Sequence, residues 1–130
     1  MPRPSNPEIR LKLRKQAIDY VLTHGLADLS LRPMAKALKT NARMLVYHFG
    51  SREGLMREIL VGLRQQEDAH ISAWFQRGKK PRNMAAFLHW YWRRISSTKA
   101  RPAVLLIFEL YAMALRDPDA YSGVLADPLA

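Results

Sequence analysis

The chain of 130 residues contains no cysteine. This absence excludes a disulfide scaffold, a cysteine-ligated zinc finger and thiol chemistry, and it fits a reducing cytosol. No apolar run approaches the roughly 20 residues that span a bilayer. Residues 1–5 also lack the apolar segment of a secretory signal. We therefore expect a cytoplasmic protein with no membrane partner.

Acidic residues are scarce, because 11 Asp and Glu face 21 Lys and Arg, which gives a net charge of +10 at pH 7. Residues 1–56 carry +6 of this charge and the longer remainder carries +4. A cytosolic domain this basic typically binds nucleic acid, an acidic protein or an anionic membrane surface. A solvated basic surface with no partner is an equally open interpretation of the charge alone, so the position of the charges has to decide.

Groupings typical of catalysis are absent as well. The histidines are His24, His48, His70 and His89. They show no close metal-ligand spacing, and the chain has no glycine-rich phosphate loop and no grouping of Ser, His and acid. We therefore expect that the protein is not an enzyme and that it has neither a cofactor nor a metal site.

Capping residues and breakers predict helices almost throughout, and no stretch alternates with period two, so the sequence predicts an all-α fold. The expected N-caps are Asn6, Ser30 and Asn41, and the expected helix ends are Gly25 and Gly50. The predicted helices are 7–24, 31–38, 42–49, 51–77, 83–97 and 102–116. Asp117 and Pro118 resemble the start of a seventh helix.

The second and third helices, joined by a turn at 39–41, have the arrangement of a helix-turn-helix. Leu45 and Phe49 are four residues apart and form an inward stripe on the third helix. The opposite surface carries Ala42, Arg43, Val46 and Tyr47. An arginine can donate two hydrogen bonds to guanine, and a tyrosine hydroxyl can bond a phosphate. The pattern therefore predicts a helix that enters the major groove of DNA.

The motifs SLRPMA at 30–35 and LVYHFGSREGL at 45–55 resemble the DNA-binding signature of TetR-type (tetracycline-repressor-like) transcriptional regulators. The resemblance covers residues 9–60. It implies a helix-turn-helix head at 1–56, joined by a long fourth helix to a helical effector and dimerisation domain at 57–130. It also implies a ligand-responsive repressor that binds a palindromic operator as a homodimer, although activation stays open. Such regulators usually continue through two or more further helices, which commonly form the dimer interface, so we expect a truncated chain; dimerisation through another surface stays open.

The resemblance also implies which residues of the head meet double-stranded DNA. Base-reading positions are Arg43, Met44, Ala42 and Val46. Phosphate-binding positions are Ser30, Lys36, Lys39, Tyr47, His48 and Arg52. The chain departs from the family pattern at Lys39, where glycine is usual, and at Val46, where tyrosine is common. Alternatives stay open for four of these residues: Tyr47 at the core edge, His48 as a packed, hydrogen-bonded histidine, Met44 as a filler between helices, and Arg43 as a solvated arginine without a role.

The second half of the chain is rich in bulky side chains, which at helical spacing are more often core than pocket. The resemblance implies that some of them line a pocket for a small apolar or aromatic effector. The pocket candidates are His70, Trp74, His89, Trp90, Phe108, Glu109 and Tyr111. An alternative function is a basic module that binds an anionic membrane surface or an acidic protein through Arg10, Lys12, Arg14 and Lys15. These charges do not segregate from the apolar stripes of the first helix, as an interfacial helix requires.

Overall fold

The computed structural model describes residues 6–26, 29–78 and 80–122. Its six helices are α1 (Pro7–His24), α2 (Leu31–Ala37), α3 (Ala42–Phe49), α4 (Arg52–Gln76), α5 (Met84–Ile95) and α6 (Arg101–Arg116). The described ranges contain no strand, so the predicted all-α fold is confirmed. No helix within these ranges combines the length and the apolar character needed to cross a bilayer. The seventh helix expected after residue 117 falls largely on residues 123–130, outside the described part.

Local capping explains most of the helix boundaries. The Asn6 side chain accepts a hydrogen bond from the backbone N–H two residues later at 3.0 Å, and the Asn41 side chain accepts one from three residues later at 2.9 Å. Gly25 and Gly50 follow the ends of α1 and α3 with φ angles of 76° and 81°. These angles lie in the left-handed region, where glycine has no steric penalty. The predicted caps and ends at these four positions are confirmed.

Ser30 is the N-cap residue of α2, as predicted, but its side chain makes no capping hydrogen bond. A capping hydroxyl normally accepts from the second or third backbone N–H of the helix. The third residue of α2 is Pro33, which has no N–H to donate. The start of α2 therefore depends on packing: Met34 and Ala35 are 0% and 1% exposed.

The core is a single cluster that runs through α1, α2, α3, α4 and α6. The long helix α4 contributes the largest share, namely Leu55, Met56, Ile59, Leu60 and Leu63. The helix α6 adds Leu106, Leu110 and Ala114. A head made only of α1 and the two short helices α2 and α3 would bury little apolar surface by itself. Its stability therefore depends on α4 and α6, and the core continues without a break past residue 56.

The helix α5 is attached differently, because none of its residues is buried. It contacts α4 through aromatic stacking: the Trp74 and Trp90 rings lie 4.1 Å apart, centroid to centroid, with an interplanar angle of 22°. Arg94 of α5 donates two hydrogen bonds to the Glu67 carboxylate of α4, at 2.9 and 2.8 Å. The α4–α5 contact therefore consists of half-exposed rings and one ion pair.

Candidate nucleic-acid interface and adjoining cavity

The helix α3 has one buried face and one exposed face. Leu45 and Phe49 are 1% and 7% exposed, so the predicted inward stripe is confirmed. On the other side Arg43 is exposed, and Met44, Val46 and Tyr47 are 38%, 41% and 47% exposed. Ala42 is half-buried. Burying apolar side chains stabilises a helix, whereas exposing Met44 and Val46 gains nothing for folding. The exposed face is therefore available to a partner.

Exposed positive charge is concentrated in the segment that contains α2 and α3. The exposed cations between residues 29 and 56 are Arg32, Lys36, Lys39, Arg43 and Arg52. The same segment has a single acid, Glu53, and none of the five cations forms an ion pair with another residue of the described ranges. Cations without carboxylate neighbours create a positive potential that attracts phosphates. The electrostatics of the head therefore match a polyanion.

The turn between α2 and α3 is a Schellman motif with lysine in the place usually taken by glycine. The Thr40 N–H donates to the Ala35 carbonyl at 2.9 Å, and the Lys39 N–H donates to the Lys36 carbonyl at 3.1 Å. Lys39 has a φ of 57°, in the left-handed region. This conformation costs a non-glycine residue about 1 kcal/mol. The lysine side chain places an exposed ammonium group on the turn that precedes α3.

The junction between α3 and α4 fixes how α3 lies against the long helix. The Ser51 hydroxyl caps α4 by accepting from the Gly54 N–H at 3.0 Å. A Cβ atom added at Gly54 would lie 2.0 Å from the Phe49 carbonyl oxygen. Only glycine permits this approach of the α4 backbone to the end of α3. Arg52, the first residue of α4, is exposed next to the free N–H groups of the helix N-terminus.

The structure places the predicted phosphate-binding residues in two groups. The exposed ones are Ser30, Lys36, Lys39, Tyr47 and Arg52. His48 differs, because it is 7% exposed and its ring lies edge-on to the Tyr47 ring at 5.2 Å. Its two ring nitrogens have no hydrogen-bond partner among the described residues. His48 is therefore packed inside the protein, as the structural alternative for this residue predicts, but the hydrogen bond which that alternative includes is missing among the described residues.

The basic face of α1 is partly neutralised by the long helix. Arg10 and Arg14 both bind the Glu58 carboxylate, although Arg10 lies 48 residues before it in the chain. Lys12 and Lys15 stay exposed. Two of the four α1 cations that suggested binding to an anionic membrane surface or an acidic protein are therefore paired with α4. This pairing weakens that alternative function. The pairing carries no local sequence signal, since it depends on how α1 crosses α4.

A cavity of about 410 Å³ lies between α4, α5 and α6. Leu63, Val104 and Ile107 form apolar walls, and the Glu67–Arg94 ion pair lies at its polar end. Hydrogen bonds to Glu67 raise the pKa of Arg94. Burial, followed by the negative charge of Glu67, raises the pKa of the Tyr91 phenol, which also lines the cavity. The site offers an apolar volume with a few polar groups, as small-molecule sites do.

The predicted pocket residues are divided among three locations. His70 and Phe108 line the 410 Å³ cavity, and His70, Trp74 and Trp90 line a neighbouring cavity of about 290 Å³. His89 and Glu109 are exposed, and Tyr111 packs against the core. These last three side chains line neither cavity, because they lie on other faces or turns of α5 and α6. Sequence reasoning missed Glu67, Tyr91 and Arg94, whose convergence depends on tertiary packing.

No group of three or more histidine, aspartate or glutamate side chains is placed to hold a metal ion in the described ranges. A scan against protein-family models found no match, and a search of curated proteins found none. Among solved structures, the chain is similar to the crystal structure of the multidrug binding protein EbrR complexed with imidazole, with a TM-score of 0.72 and 29% sequence identity. The match covers 98% of this chain and 66% of the EbrR chain, so this chain spans slightly less than two thirds of that protein.

Proposed function

We propose that the protein is a transcriptional regulator that binds double-stranded DNA through the exposed face of α3. The observation that carries this proposal is the combination of an outward face with five exposed cations that have no ion pair in the described ranges. The similarity to EbrR and the TetR-type motifs support it independently. The proposed functional division is the one predicted above, with a DNA-binding head at 1–56 and an effector domain at 57–130.

In this proposal Arg43 reads bases, because it is exposed in the first turn of α3 and its planar fork fits the guanine edge. Met44 lies in the same turn and faces base edges with it, and Ala42 and Val46 offer apolar contacts to thymine methyl groups. Replacing Arg43 by alanine should weaken binding to the preferred site by about 1–3 kcal/mol and relax the preference at one base position. Arg93, an exposed arginine of α5 far from α3 in sequence, is the matched control. Arg93→Ala should leave the preference unchanged.

The phosphate contacts are proposed for Ser30, Lys36, Lys39, Tyr47 and Arg52, all of which are exposed. Such contacts fix the register of the protein on the duplex without reading sequence. His48 joins this group only if its ring leaves the buried position it occupies between the helices.

Selection of bound duplexes from a random pool tests the proposal directly. A homodimer should recover an inverted repeat, with half-site centres about 34–36 Å apart or a small multiple of that distance. If all duplexes are retained equally, the protein binds polyanions without sequence specificity, and the proposal of a sequence-specific regulator is wrong. Retention on anionic vesicles but on no duplex would favour the membrane-surface alternative.

The cavity between α4, α5 and α6 is proposed to bind a small apolar or aromatic effector. The description of EbrR as a multidrug binding protein supports this use of the domain. An effector that prefers one separation of the two heads would change DNA affinity by about 1–3 kcal/mol.

Blocking the cavity separates this role from a purely structural one. Val104 lines the cavity, whereas its neighbour Leu105 is 55% exposed. Val104→Trp should weaken the release of DNA by those aromatic compounds that release it from the parent protein, because the indole would project into the cavity and reduce its volume. Leu105→Trp should keep the release. The same response in both variants would remove the cavity from the proposal.

A further inference from the structure

Glu58 of α4 holds two arginines of α1 at once. One carboxylate oxygen accepts from the Arg10 guanidinium, and the other accepts from Arg14 at 3.4 Å. The three side chains are only partly exposed, at 37% for Arg10, 21% for Arg14 and 23% for Glu58. Charges that are partly removed from water are screened less than fully exposed charges, so these ion pairs attract more strongly than pairs on an open surface.

Arg10 also contacts the end of α3. Its Nε donates to the His48 carbonyl oxygen at 3.2 Å, and its guanidinium carbon lies 5.6 Å from the centroid of the Phe49 ring. The His48 carbonyl is among the last four of α3, which have no partner within the helix. The positive charge of Arg10 lies at the negative end of the α3 dipole. Arg10 therefore completes the C-terminus of the helix that carries the candidate DNA-reading face.

The end of α3 is thus held from two sides. On one side, Gly54 of α4 approaches the Phe49 carbonyl so closely that no Cβ fits. On the other side, Arg10 donates to the His48 carbonyl and also binds Glu58 of α4. A lysine cannot replace this arrangement, since it lacks the planar fork that serves a carbonyl and a carboxylate together.

We propose that Arg10 and Glu58 form a clamp that sets the angle between α3 and α4. Both are positioning residues: they determine how the exposed face of α3 is presented. The inference rests on the proposed function, because it assigns the clamp a role in DNA specificity. It also links α4, which lines the cavity through Leu63 and Glu67, to the orientation of α3.

Arg14 supplies a matched control. It binds the same carboxylate of Glu58 and also Gln65 of α4 at 3.2 Å, but it makes no hydrogen bond to α3. Arg10→Lys and Arg14→Lys both keep the charge of α1 and both lose the fork. Only Arg10→Lys removes the contact with α3. Glu58→Gln removes the negative charge while keeping one acceptor oxygen for Arg10.

The first measurement needs no DNA. Amide hydrogen exchange should become faster in α3 for Arg10→Lys and Glu58→Gln, and it should stay unchanged in α2. Arg14→Lys should leave α3 unchanged. Unchanged exchange in α3 for Arg10→Lys, or an equal increase for Arg14→Lys, would overturn the clamp. Hydrogen exchange tests the clamp even if the protein binds no duplex. In that case the proposed DNA-binding function fails, and the exchange rates in α3 still show whether Arg10 and Glu58 hold the helix.

The second measurement compares the affinity for a selected duplex with that for a random duplex over a range of salt concentrations. Arg10→Lys should reduce this ratio about tenfold, a loss comparable to one hydrogen bond to a charged group. The salt slope should not change. A fall in salt slope of about one for Arg10→Gln would instead identify Arg10 as a phosphate contact. A lower melting temperature with an unchanged ratio would identify a merely structural role.

Discussion

The junction at Gly54 gives the sharpest prediction about how α3 is held. Replacing Gly54 by alanine adds a Cβ atom 2.0 Å from the Phe49 carbonyl oxygen, so the end of α3 and the start of α4 must move apart by more than 1 Å. Alanine gains about 1 kcal/mol over glycine inside a helix. Overpacking costs about 1–3 kcal/mol, and the upper end applies because a backbone carbonyl cannot change rotamer. The expected net loss is about 2 kcal/mol in the free energy of unfolding.

Gly62, in the same helix, is the matched control. A Cβ atom there would lie 2.5 Å from Cδ1 of Ile18, which is the end of a flexible side chain. The gain in helix propensity and the cost of moving this methyl group should nearly cancel. Ile18→Val removes that Cδ1 atom, so it should rescue any loss in Gly62→Ala and should rescue nothing in Gly54→Ala.

Urea denaturation followed by far-ultraviolet circular dichroism measures these differences for the parent chain, the three single variants and the two double mutants with Ile18→Val. A second readout is DNA binding, which Gly54→Ala should weaken even below the unfolding transition, since α3 is displaced. If Gly54→Ala is as stable as the parent chain and binds the same duplex equally well, the close α3–α4 junction does not set the position of α3.

Three further changes test separate parts of the molecule. Arg52→Ala should weaken specific and random duplexes alike and lower the salt slope by about one, as measured by fluorescence anisotropy; an unchanged slope would remove Arg52 from the phosphate contacts. Lys39→Gly relieves a φ of 57° but makes the unfolded chain more flexible, so stability should rise by only about 0.5 kcal/mol while DNA affinity falls; lower stability in urea would contradict the left-handed strain. The pKa of Tyr91 is raised in the folded protein above its ordinary value of 10.0. Tyr91 therefore contributes stability at pH values below 10.0, and this contribution is lost as the pH rises through the folded-state pKa. Between about pH 9 and about pH 11, Tyr91→Phe should therefore lose less stability than the parent chain; equal losses would mean that Tyr91 does not contribute.

Local signals predicted much of the fold. Asn41 and Gly50 are cap and stop residues whose geometry depends on their own side chains or on their lack of one, and both act as expected. The stripe of Leu45 and Phe49 follows from helical spacing alone. Ser30 occupies the N-cap position without the expected side-chain hydrogen bond, and Pro33 removes one of the two N–H groups that a capping hydroxyl can take. Propensity rules that treat each position separately do not detect such a conflict.

Long-range pairings were not predictable from the sequence. Glu58 meets an arginine 48 residues away, and Glu67 meets Arg94, 27 residues away. Which of the many charged residues pair depends on the crossing of α1, α4 and α5, which no short motif encodes. The same holds for the cavity, where Tyr91 and Arg94 converge while Glu109 points elsewhere.

Dimethyl sulfate footprinting on a selected duplex tests most directly whether the exposed face of α3 occupies the major groove. The reagent modifies guanine N7 in the major groove and adenine N3 in the minor groove. The bound protein should protect guanine N7 in each half-site, and Arg43→Ala should lose that protection at one guanine per half-site. Guanine N7 atoms that stay fully reactive under saturating protein, with or without protection of adenine N3, would contradict the assignment of α3 as the reading helix.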